Sequence, residues 1–139
     1  MIIISLDFDK RFEQEIPPEA TYGGIYVVYS YNGDEVNPEW WLLDVGQAND
    51  IYKRHQGHER KSAWQKFAKE HNSILVLYTA EITNEHNYRD IAEAALLYKF
   101  QPICVTDGKN GYHYGDVTIS VTGRLGKAFG EFSLSNTGR

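Results

Sequence analysis

Two apolar runs on either side of a turn-rich loop constrain this chain more than any other feature. The first is Ile25-Tyr26-Val27-Val28-Tyr29. Asn32-Gly33-Asp34 through Asn37-Pro38 follows, and the second run, Trp40-Trp41-Leu42-Leu43-Asp44-Val45, ends at Gly46. β-Branched and aromatic side chains suit a pleated, packed surface, and Gly, Asn, Asp and Pro suit the turn between, so the pattern predicts a hairpin. Both faces of each run are largely apolar, which predicts a sheet covered on one side and partly on the other. Pairing about a centre near Glu35 places Tyr26 opposite Asp44, with both side chains on one face.

The elements around the hairpin follow from periodicity and end signals. Ile2 to Phe8 reads as a strand, and Glu13 to Ala20, with Pro17-Pro18, as a loop or short extended arm. Asn49 or Asp50 caps a helix reaching about Gln56, and Gly57 ends it. Ser62-Ala63-Trp64-Gln65 has the form of a capping box, and Trp64, Phe67, Ala68 and His71 then share a helical face. Ser73 to Ile82 reads as a central strand. Asn84 caps a helix from about Glu85 to Phe100, with Pro102 just beyond its end. In the glycine-rich stretch from Gly108 onward, Tyr112-His113-Tyr114 and Val117 to Val121 read as short strands. The residues from Ser133 read as frayed.

At 139 residues the chain fits one domain with a real core, and 42% hydrophobic with 24% charged residues describes a globular protein rather than a disordered one. No apolar run approaches a membrane span, and Met1 to Leu6 lacks the basic flank of a signal peptide. The single cysteine, Cys104, forms no internal disulfide, which points to a reducing cytoplasm. A net charge of −5 argues mildly against a general nucleic-acid binder. The charge is segregated, however: Lys53, Arg54, Arg60, Lys61, Lys66 and Lys69 fall in one short span, as a phosphate-binding patch or a solvated helical face.

Gly24-Ile25-Tyr26, then Asp44-Val45-Gly46, then Arg54 with His58 four residues on, then Glu93 in an apolar helix followed by Pro102, resembles the GIY-YIG nuclease family in order and spacing. The resemblance covers residues 22–105 of a single domain spanning 1–139 and leaves 106–139 as a glycine-rich C-terminal extension. It implies a compact α+β fold, a small, mainly antiparallel sheet flanked by helices. It also implies a divalent-metal-dependent endonuclease acting on DNA, with Tyr26, Asp44, Arg54, His58 and Glu93 as catalytic residues and Mg²⁺ or Mn²⁺ held by Glu93. Lys53, Arg60, Lys61 and Lys66 would then contact the phosphate backbone. Asp44 departs from the family pattern by replacing its second tyrosine, and Val105 stands where the family often has an asparagine. A domain of this size works with a separate recognition partner or as a homodimer.

Each residue also has a structural reading. Tyr26 suits packing as well as water activation, where its phenol needs a neighbouring cation to lower a pKa near 10. Arg54 offers a planar fork for phosphate or an ion pair with Asp50 one turn earlier. His58 suits proton transfer or none, and with His55 it lacks the companions of a zinc site. Glu93 suits a cation or an ion pair with Arg89. Asp44 suits four roles: base, metal helper, partner of the phenol or strand-end cap. Two other classes answer the same sequence, a catalytically decayed nucleic-acid-binding module and a protein–protein adaptor.

Overall fold

The computed structural model describes residues 2–138 and is an α+β fold built mainly from antiparallel sheet. The chain runs through β1 (Ile2–Phe8), β2 (Lys10–Glu13), β3 (Gly24–Asn32), β4 (Glu39–Ala48), α1 (Ile51–His55), α2 (Lys61–Glu70) and β5 (Ile74–Glu81). A 3₁₀ turn, Glu85–Asn87, leads into α3 (Tyr88–Phe100), followed by β6 (Gly111–Tyr112), β7 (Val117–Gly123), α4 (Gly126–Phe129), β8 (Glu131–Leu134) and β9 (Thr137–Gly138). The central sheet has the order β2-β5-β3-β4, all antiparallel. No helix among the described residues is long and apolar enough to cross a membrane.

The hairpin forms, and its register differs from the expected one. Tyr26 pairs with Gly46, and Asp44 with Val28. On the loop side Tyr29 pairs with Leu42, so Leu43 is an extra residue, a β-bulge. The bulge turns Leu43 and Asp44 to the same side of the sheet, the face that also carries Tyr26 and Val28. Tyr26 and Asp44 are therefore diagonal neighbours rather than opposite partners.

Helices α1 and α2 cover that face, where Val28, Leu43, Ile51, Trp64, Ala68 and Leu77 pack around Tyr26. The other face packs on α3 and on a second sheet through Val27, Val45, Val76, Ile91, Ala95, Leu96, Ile4, Leu6 and Ile119. The second sheet corrects the reading of the tail. Its order is β1-β7-β8, with β1 and β7 parallel over seven residue pairs, and β9 pairs with β6. Leu134, Thr137 and Gly138 are thus paired rather than frayed, and the C-terminal stretch adds Val117, Ile119, Val121 and Phe129 to the core. Two further boundaries shift. Helix α2 starts at Lys61 with Arg60 as its cap residue, so the Ser62 hydroxyl lies inside the first turn and caps nothing. Helix α3 starts at Tyr88, because His86 and Asn87 adopt left-handed φ of 53° and 61°. The Asn84 side chain accepts instead from the Arg89 amide at 3.0 Å.

Candidate active site

Two glycines place Tyr26. A Cβ on Gly24 would overlap the Ala80 carbonyl of β5, and a Cβ on Gly46 would overlap the Tyr26 phenol. Only glycine lets β3 lie this close to β5 and lets the Tyr26 ring cross its β4 partner. The phenol is buried, and its Oη lies 2.6 Å from His58 Nε2. His58 Nδ1 accepts the Arg60 amide at 3.1 Å. Burial and the charges of Arg54 and Arg60 push His58 down to about 4, so the ring is neutral at pH 7. A neutral imidazole that accepts at Nδ1 carries its proton on Nε2, so His58 donates to the Tyr26 oxygen. His55 packs edge-on against the Tyr26 ring, with centroids 4.4 Å apart, and burial pushes it down to about 3.

The bulge gives Asp44 its place. Its carboxylate is fully buried and accepts from Arg60 Nε at 2.6 Å, Arg60 Nη2 at 3.2 Å and Trp64 Nε1 at 2.9 Å. Burial raises its pKa, and the three donors work against that rise. Both oxygens are engaged, so Asp44 anchors a guanidinium beneath the site. Arg54 forks both Nη groups onto Glu59 at 2.9 Å each, rather than onto Asp50. The Asp50 carboxylate caps α1 by accepting from the Lys53 amide.

A cleft of ≈ 340 Å³ gathers Tyr26, Arg54, Arg60 and Glu93 with Gln47, Val105, Thr106, Asp107 and Gly108. Helix α3 presents Glu93 to it. Burial, first, and then the nearby Asp90 and Asp44 charges push this carboxyl up to about 7, while a Gln47 backbone hydrogen bond and Arg60 oppose the rise. Glu93 makes no ion pair among the described residues. Arg89, the partner expected one turn earlier, is buried and donates instead to the Ala48 carbonyl. No group of three or more His, Cys, Asp or Glu side chains placed to hold a metal occurs among the described residues. The Tyr26 phenol is raised by burial and by Asp44, with Arg54 and Arg60 pulling the other way.

No family model, curated protein or solved structure gives a significant match to this chain. The site therefore stands on its own geometry. Three elements and the loop before α2 bring Tyr26, Arg54, Arg60 and Glu93 together, with His58 behind the phenol and Asp44 below Arg60. The lysines go elsewhere. Lys53 and Lys66 are exposed, and Lys61 lines a separate cavity of ≈ 390 Å³ beside Tyr52, His55 and Trp64. Arg60 had read as one more backbone-contacting cation, and the structure sets it in the cleft. Gln47, Thr106 and Asp107 escaped the sequence reading. Gln47 lies three residues past Asp44, on the strand that leaves the bulge.

Proposed function

We propose that this cleft hydrolyses phosphodiester bonds in DNA, as a divalent-metal-dependent endonuclease on a GIY-YIG-like scaffold. The observation that carries the reading is the convergence of Tyr26, Arg54, Arg60 and Glu93 on one cleft from distant points of the chain. Hydrolysis needs a deprotonated water, neutralised phosphate charge and a stabilised leaving oxygen.

In this reading the protonated Tyr26 phenol orients the attacking water, whose proton passes to bulk solvent at the mouth of the cleft. The Nε2–H of His58 holds the phenol oxygen in place. Arg54 and Arg60 neutralise the non-bridging phosphate oxygens, and Asp44 fixes the Arg60 fork. Asp44 thus takes a positioning role that is none of the four the sequence left open. Glu93, a half-buried carboxyl without an ion pair among the described residues, lines the cleft with Gln47, Thr106 and Asp107 and suits a hard cation such as Mg²⁺ or Mn²⁺. A divalent ion held there supplies positive charge to the phosphate. Lys53 and Lys66 extend the positive surface along a nucleic-acid backbone, with Lys61 set apart on its own cavity. The single cysteine fits a cytoplasmic setting.

The test is nicking of supercoiled plasmid with Mg²⁺, Mn²⁺ or EDTA, beside Tyr26→Phe and Glu93→Ala. The expected result is metal-dependent nicking that both variants lose. Full activity in either variant removes the site assignment. No cutting of plasmid, branched DNA or RNA removes hydrolysis. Salt-sensitive binding would then point to a nucleic-acid-binding module, and no affinity at low salt to a protein–protein adaptor.

A further inference from the structure

Glu59 holds both cleft arginines at once. Its Oε2 accepts from Arg54 Nη1 and its Oε1 from Arg54 Nη2, both at 2.9 Å, and Oε1 also lies 3.3 Å from Arg60 Nη1. His58 Nδ1 stands 3.8 Å from Oε2. Glu59 does not line the cleft, and its side chain is 60% exposed, so nothing packs it in place. Arg60 has its remaining nitrogens, Nε and Nη2, fixed on Asp44. The Arg60 N–H aimed at Glu59 is therefore the one left over once Asp44 has anchored that guanidinium, and the Arg54 fork is held by Glu59 itself.

We infer that Arg54 and Arg60 form an oxyanion site whose internal occupant is Glu59, and that a phosphate group enters by displacing that carboxylate. The inference deepens the phosphodiesterase reading and rests on it for the class of ligand. The chemistry matches on two counts. A phosphodiester carries one negative charge and two equivalent non-bridging oxygens, as a carboxylate does, so the exchange leaves local charge unchanged. The planar fork of Arg54 accepts either anion in the same two-point manner. An exposed ion pair is weak, so the occupant is readily displaced while it keeps both guanidinium groups oriented. Glu59 acts as a selector: it holds off chloride and other singly coordinating anions and yields to one that engages both arginines.

The test is a titration with inorganic phosphate at pH 7 and low ionic strength, followed through the arginine side-chain ¹⁵N–¹H signals. Wild type, Glu59→Gln and Glu59→Gln/Arg54→Ala are compared. The inference predicts that Glu59→Gln binds phosphate about fivefold more tightly, the weight of one exposed pair. It also predicts that the Arg54 and Arg60 signals shift and that the double variant loses the gain. Equal affinity in wild type and Glu59→Gln overturns it, as does a gain that survives loss of Arg54. The readout is binding, so tightening in a protein that cuts nothing sustains the oxyanion site and removes only the hydrolysis.

Discussion

The site has two carboxyl groups that differ in almost every respect. Asp44, on its floor, is fully buried and engaged by three donors from Arg60 and Trp64. Glu93, on its wall, lies half-buried in an apolar helix, with no ion pair among the described residues and a carboxyl pushed up to about 7. A satisfied buried acid is part of the scaffold, because removing it strands its partners. A half-buried one without a cationic partner destabilises the fold, and it is expected where function needs a charge placed for something absent from the chain. The second motif position, where the sequence departs from the family it resembles, thus holds an anchor. The open valence sits on α3.

Variants at the two positions should separate these roles. The largest effect is expected for Asp44→Ala, which leaves the Trp64 indole N–H and two Arg60 nitrogens without acceptors. A loss of about 3 kcal/mol, seen as a lowered urea midpoint, is the expectation. A loss under about 1 kcal/mol would mean that Arg60 simply swings to solvent. Gly46→Ala should cost about 2 kcal/mol, because the new methyl overlaps the Tyr26 phenol and forces the ring off His58. Nuclear magnetic resonance of the His58 ring reads that displacement directly.

Glu93→Gln should move the other way. The folded-state value near 7 lies above the ordinary 4.5, so the folded protein holds this proton more tightly than the unfolded chain does. Stability therefore falls as pH rises from about 4.5 to 7, and the variant removes that loss. It should be more stable than wild type by about 1 kcal/mol at pH 8 and no different at pH 4. Parallel stability–pH curves for the two proteins would place the Glu93 carboxyl in ordinary surroundings. The smallest effect concerns His58. Held neutral down to about 4, it should leave no titration step between pH 5 and 8 in ring ¹H shifts. A midpoint near 6.5 would mean that the imidazole is exposed.

The same contrast shows what the sequence could carry. The hairpin, α1 and α3 were readable because their signals are local: β-branched runs, Asp50 before a helix, Pro102 after one. The bulge was not, because Leu43 and Asp44 are adjacent and only packing decides that both turn towards α2. Without the bulge, neither the Asp44–Arg60 bond nor the place of Arg60 in the cleft can be foreseen. That pair joins the bulge within β4 to the cap residue before α2. The second sheet was hidden for a related reason. Strand β1 lies beside β7 from the far end of the chain, and neither strand announces its partner. Glu93 was conspicuous as a charge in an alanine- and leucine-rich helix, and its isolation from Arg89 depends on Arg89 turning to the Ala48 carbonyl.

The most direct measurement is Mn²⁺ binding, read as the loss of free-ion electron paramagnetic resonance signal at pH 8, in wild type, Glu93→Gln and Asp44→Asn. The account predicts binding by wild type, its loss in Glu93→Gln, and near wild-type affinity in whatever fraction of Asp44→Asn is folded. Binding that survives in Glu93→Gln and disappears from folded Asp44→Asn would contradict it, and would make the floor carboxylate, rather than the one on the wall, the cation site.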